Sequence, residues 1–374
     1  MYILRALQEL GGRSTGVNVE YRLACSGEFY RHGVLTGDWR KSDVTRLLLD
    51  EPFPMFVVSR PFEEFPQELC IRFSINRVTE SDGNFSRSIL PDVEVVDDLC
   101  ALLTLLSRRL ITRVVKTREK LDDPHSTKWY QSELPMPVVS HPQVVAWRRN
   151  PNTPVAVDSL SLTQFLTKLP SLPHAQEIVH AARLYKYALE SIEDRPDTAY
   201  LALISVIESL SNVAYSTFEP SDADKISTKP LVVKLAKKLG LDDAQANALA
   251  LEACKGDYWV SRKFKKFCAE YCPVEELENP DHLYVRSEHF DPPGSDFSKA
   301  IGRIYSTRSK HTHEAVPFPA GIGIGTSHQI PFKELPVNML DQTDIPAASW
   351  FERVVSIAAR KFILIDNPYP FVEA

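Results

Sequence analysis

Arg308, Ser309, His311 and His313 crowd into one short stretch, and a single carboxylate, Glu208, stands alone inside an apolar run far upstream. An arginine guanidinium is a permanently charged, planar fork suited to the non-bridging oxygens of a phosphate. A histidine exchanges a proton near neutral pH. Together they could stabilise charge on a phosphoryl centre and move protons around it, and losing one such charge-stabilising donor typically costs ~3 kcal/mol of transition-state stabilisation. Glu208 adds a requirement of its own. A carboxylate in an apolar helix is costly unless paired, so its position predicts a buried Arg, Lys or hydroxyl partner.

The elements that must position these groups are helical. Phe297, Ile301, Ile304, Tyr305 and Arg308 share one stripe at helical spacing, so Arg308 points toward the core. Five positions rotate an ideal helix by ~140°, so His313 joins the Arg308 face only if the helix frays or ends near Thr312. His311 lies nearer that face. Upstream, Ile178, Ala181, Ala182, Tyr185, Ala188, Leu189 and Ile192 follow one face of a helix that ends at Asp194-Arg-Pro-Asp197. A second helix from Thr198 to about Tyr215 is apolar on most sides, carries Glu208, and is expected to be the most buried. Shorter helices are expected over Pro230 to Leu239, closed by Gly240, then Asp243 to Cys254 and Tyr258 to about Tyr271. A final amphipathic helix from about Ala347 to Ile365 turns Trp350, Val354, Ile357, Ala358 and Ile365 inward.

The first ~150 residues have a different rhythm. Val17 to Cys25, Met55 to Arg60 and Leu69 to Ile75 alternate like half-buried strands. One helix interrupts them after Pro91-Asp92, with Val96, Leu99, Leu103, Leu106 and Leu110 on a stripe and Arg108 and Arg109 near its C-terminal end, where cations suit the macrodipole. Residues 151–173 hold Pro151, Pro154, Pro170 and Pro173 among Ser and Thr, a composition that breaks helices. The expected organisation is therefore an α+β N-terminal domain over residues 1–150, a linker over 151–173 and an all-α helical bundle over 174–374, a division that a chain of 374 residues readily accommodates.

Bulk properties narrow the partners. A net charge of −6 and a pI near 6.0 exclude a protein coated with basic groups for long nucleic-acid tracts and leave room for a local patch. Nothing at the N-terminus reads as a targeting segment, because Arg5 and Glu9 interrupt its apolar start, and no stretch approaches a membrane span. The expectation is a soluble cytoplasmic protein with reduced thiols.

The segment Ile304-Tyr-Ser-Thr-Arg-Ser-Lys-His-Thr-His313-Glu resembles the Arg-x4–6-His signature of HEPN domains. Ala199-Tyr-Leu-Ala-Leu-Ile-Ser-Val-Ile-Glu-Ser-Leu210 looks like the glutamate-bearing helix of the Apea-like branch, and Trp350-Phe-Glu-Arg-Val resembles its closing helix. The resemblance covers the C-terminal half. It implies a four-to-five-helix domain that dimerises so that two Arg-x4–6-His segments form one composite, metal-independent ribonuclease site, without a cofactor. In such enzymes the ribose 2′-hydroxyl attacks its own phosphodiester, leaving cyclic-phosphate and 5′-hydroxyl ends. Arg308 and His313 would be the catalytic pair, with Glu208, Ser309 and His311 supporting. RNA is then the substrate, a second copy the partner, and prokaryotic antiphage defence or stress response the setting, with the N-terminal domain sensing a trigger or presenting substrate. The residue after the Arg is commonly Asn, Asp or His in active members and is Ser309 here, which forms hydrogen bonds without carrying charge.

Other readings stay open at this level. Arg308 and Glu208 could form a purely structural ion pair, with His313 a solvated helix end, in a HEPN module that dimerises and binds a partner without catalysis. His311 is a second candidate base. Lys255, Arg262, Lys263, Lys265 and Lys266 interleave with Tyr258, Trp259, Phe264 and Phe267, which suits RNA phosphates and bases or, more simply, an amphipathic helix with a basic solvent face. Cys268 and Cys272 with His282 and His289 offer zinc-ligating atoms at uncommon spacing, so free thiols are expected and no metal. Gly321-Ile-Gly-Ile-Gly325 lacks the strand, helix and Lys-Ser/Thr of a phosphate loop and reads as a loop.

Overall fold

The computed structural model describes residues 3–4, 16–25, 29–31, 55–56, 68–76, 92–121, 130–131, 155–192, 195–255, 259–278, 296–319, 322, 345–365 and 369–373. Their elements in chain order are β1 (Gly16–Cys25), β2 (Phe29–Arg31), β3 (Met55–Phe56), β4 (Glu68–Asn76), α1 (Asp92–Ser107), β5 (Ile111–Leu121), β6 (Tyr130–Gln131), β7 (Val155–Val157) and α2 (Ser159–Lys168). A 3-10 turn (Leu169–Ser171) leads into α3 (Ala175–Ser191), α4 (Pro196–Ala214), α5 (Asp222–Ser227), α6 (Pro230–Lys238), α7 (Asp243–Glu252), α8 (Val260–Tyr271) and α9 (Val274–Glu278). The chain closes with α10 (Phe297–Glu314), α11 (Ala348–Ile363) and β8 (Phe371–Glu373).

The expected α+β domain followed by a separate all-α bundle is not what forms. The described chain is predominantly helical, and its first long helix, α1, belongs to the bundle. Val95, Val96, Leu99, Leu102, Leu103 and Leu106 of α1 are buried in the same apolar cluster as α3, α4, α8, α10 and α11. A helix apolar on nearly every side must be covered all round, and a half-solvated sheet cannot do that alone. The strands pair beside this body, with β5 packed on α1: β1 runs antiparallel between β4 and β5, while β7 lies between β2 and β8. On β1, Tyr21 and Leu23 occupy alternate positions on one face and are buried.

Three further differences have clear causes. The stretch read as a linker carries β7 and α2, whose Leu162, Phe165 and Leu166 are core residues, and its prolines lie outside α2. Arg108 is not a solvated cation at a helix end. α1 stops at Ser107, Arg108 takes a left-handed backbone (φ 55°), and its side chain goes inward. Finally, α11 is covered more completely than an amphipathic helix requires: every residue from Trp350 to Ala359 is buried, Trp350, Val354, Ile357 and Ala358 among them as expected, whereas Ile365, expected inward, is 68% exposed beyond its end.

Local signals explain the helix boundaries. Pro196 stands in the first turn of α4 with Asp197 beside it, both favourable at a helix N-terminus. A capping box between Asp242 and Gln245 starts α7. Gly240, at φ +84°, supplies the left-handed residue beyond α6. Among the described residues no helix is long and apolar enough to cross a membrane.

Candidate functional site

α4 and α10 bring Glu208 and Arg308 together. Arg308 Nη2 donates to Glu208 Oε2 at 3.2 Å, and the two side chains keep 27% and 15% of their surface. The pair is half-open, so one edge of the guanidinium remains available to solvent or ligand. Arg308 also lies over the Tyr305 ring at 5.9 Å, and that ring packs 5.2 Å from Phe264. Burial, and then the Glu208 carboxylate, push the Tyr305 phenol upward against the opposing effect of Arg308. Glu208 Oε1 is buried and accepts no hydrogen bond among the described residues.

The two histidines part company. α10 continues unbroken to Glu314 and ends at Ala315, which is left-handed at φ 55°. The condition that would have turned His313 onto the Arg308 face is therefore not met, and His313 is exposed on another side. His311 is half-buried, and its Nδ1 lies 2.9 Å from the Val316 carbonyl oxygen. A carbonyl only accepts, so Nδ1 carries the proton of that bond and the neutral ring leaves Nε2 as the proton acceptor. The Phe318 ring, 4.8 Å from the imidazole, holds it from the other side and in turn packs 5.5 Å from Tyr200. Three residues after Arg308, His311 is close to the same helix face and is held in one orientation. Ser309 is half-buried next to Arg308.

The basic set around α8 does not form one surface. Lys263 is buried, Lys255 pairs with Glu252 at 2.7 Å, and Arg262 contacts the Asp224 carboxylate at 3.4 Å and the Trp259 ring. Lys266 lies over Tyr215 and Phe218, while Lys265 approaches Gly302 on α10. Phe264 and Phe267 are core residues and offer no face to a base. Tyr258, His282, His289 and all of the Gly321 to Gly325 segment except Ile322 lie outside the described residues. Cys268 and Cys272 are buried free thiols, and among the described residues no three His, Cys, Asp or Glu side chains gather as a metal site.

Sequence reading missed a second charged centre. Arg108 Nη2 meets Glu352 Oε2 at 2.9 Å with 4% and 0% of the side chains exposed, and Tyr185 donates its hydroxyl to the other carboxylate oxygen. Arg360, on the same helix as Glu352, is lowered in pKa by burial and then by the nearby Arg108 charge. The available signal was Glu352-Arg353 inside the apolar run of α11. A charged dipeptide in a helix buried on all sides must have partners, and here Glu352 ties α1, α3 and α11 together.

Comparison with known proteins adds no relative: no family model matches the chain, and neither curated proteins nor solved structures match it.

Proposed function

We propose that the chain is an endoribonuclease of the HEPN type, acting without a metal at a site shared between two copies. The observation that carries this reading is the half-open Arg308–Glu208 pair with an oriented His311 one turn further along α10. In the reaction, a histidine takes the proton from the ribose 2′-hydroxyl as its oxygen bonds to phosphorus. The bond from phosphorus to O5′ breaks, and a protonated histidine supplies the proton to that leaving oxygen. Arg308 stabilises the charge that builds on the non-bridging oxygens, and Glu208 positions it. Two copies supply one base and one acid. His313 is the residue of the Arg-x4-His pattern, whereas His311 has the held geometry, so both are assigned to the proton-transfer role for testing. The setting that fits is antiphage defence or stress response.

A second reading has its own support. Arg308 is already engaged by a carboxylate and His313 is exposed with no partner among the described residues, which suits a non-catalytic HEPN module whose ion pair links α4 and α10. Expression of the wild type beside Arg308→Ala, His311→Ala and His313→Ala, with RNA ends mapped, separates the two. The proposal expects new 5′-hydroxyl ends that vanish in Arg308→Ala and in at least one histidine variant. Ends that persist in all three, or RNA that stays intact with every form, favour the binding module.

A further inference from the structure

Away from α10, helices α1 and α3 and the start of β5 line an open groove of about 510 Å³. That volume lies in the range of sites for small metabolites. Its walls are charged, yet nearly every charge is matched inside the protein. Arg113 Nε meets Asp97 at 2.9 Å, Lys186 meets Glu190 at 2.5 Å, and Arg183 is bound to Asp98 just behind the wall. Glu94 is the exception. Its Oε2 is buried against the groove and has no hydrogen-bond partner among the described residues.

A carboxylate oxygen removed from water without a donor is unfavourable, and a ligand cation with N–H groups would supply both a donor and a compensating charge. The lining itself holds three carboxylates and three cations, but Asp97, Glu190 and, behind the wall, Asp98 engage Arg113, Lys186 and Arg183, which leaves Glu94 as the lining carboxylate without a cation among the described residues. An anionic ligand would have to displace carboxylates from Arg113, Arg183 or Lys186; a cationic one displaces nothing. Tyr187, 48% exposed, lines the same groove and presents a ring to an ammonium or guanidinium.

We infer that this groove binds a small organic cation, an alkylamine or alkylguanidine, whose N–H groups satisfy Glu94. The site joins α1 to α3, so occupancy stabilises the packing of the N-terminal helix on the bundle. It is independent of the RNA reading.

The probe is agmatine, which carries a primary amine and a guanidinium, titrated into the full chain by calorimetry and followed by thermal melting. Saturable binding and a raised melting temperature are expected. Glu94→Gln keeps the shape and removes the charge, and it should weaken agmatine by at least about tenfold. Tyr187→Ala, at an exposed position, is expected to weaken it as well, and Arg308→Ala to bind like the wild type. No binding up to about 10 mM, a K_d that weak being under ~3 kcal/mol of affinity, overturns the inference. So does unchanged binding by a folded Glu94→Gln protein, or an equal effect from magnesium or from inorganic phosphate.

Discussion

Removing Arg108 and removing Arg308 should have different consequences for stability, although each arginine faces one glutamate across a helix interface. Arg108 is 3% exposed, and Glu352 has no exposed surface. Arg108→Ala takes the guanidinium away from that carboxylate, which stays in the core beside the Tyr185 hydroxyl. Breaking a buried pair in this way costs about 3–5 kcal/mol, chiefly through the uncompensated charge. The Arg308–Glu208 pair keeps 27% and 15% of its surface, so water screens it and re-solvates what remains. Arg308→Ala should cost about 1–3 kcal/mol, less than Arg108→Ala, because part of the Glu208 carboxylate stays within reach of water. Equilibrium urea unfolding of both variants, read from midpoints at matched slopes, measures the difference. A double replacement, Arg108→Met with Glu352→Leu, should recover most of the Arg108→Ala loss because no charge is left buried. Equal losses from the two arginines, or a double variant no better than Arg108→Ala, would refute the reasoning. The point matters for function: a folded Arg308→Ala protein makes any lost activity a statement about chemistry.

Other consequences follow from single residues. Burial pushes the Cys100 and Cys272 thiols up to about 12, so at pH 8 both stay protonated and hidden; iodoacetamide should label them only as the protein unfolds, by mass spectrometry of native and denatured samples. Ala315 holds a left-handed conformation at φ 55° beyond α10; Ala315→Gly should relieve about 1 kcal/mol of backbone strain and raise the thermal midpoint. Asp242 caps α7 by accepting from the Gln245 amide at 2.7 Å; Asp242→Ala should cost about 1 kcal/mol, read by urea unfolding.

Much of the helical body was legible because its signals are local. The stripes of α3 and α10, the apolar run of α4 and the caps around α6 and α7 depend on residues a few positions apart. The need of Glu208 for a partner was legible too, since an acidic residue among Leu203, Ile204, Val206 and Ile207 is unstable alone. What escaped was set by distant packing. α1 buries more of its surface than one stripe, which says that it is covered without saying by what, and its cover is α3, β5 and α11. Arg108 looked like a helix-end cation because only its neighbours were visible; its partner lies 244 residues away. The assignment between His311 and His313 turned on where α10 stops, and the left-handed Ala315 that stops it has no glycine to announce it.

The central claim is that Arg308 stabilises charge on an RNA phosphodiester attacked by its own 2′-hydroxyl. The most direct measurement incubates purified wild-type and Arg308→Ala protein with a labelled RNA and with the same sequence made 2′-deoxy at the cleavage position, and identifies both new ends. Cyclic-phosphate and 5′-hydroxyl ends are expected from the wild type, none from the deoxy substrate, and none from a folded Arg308→Ala variant. Cleavage of the deoxy substrate, 5′-phosphate ends, or full activity without Arg308 would contradict it.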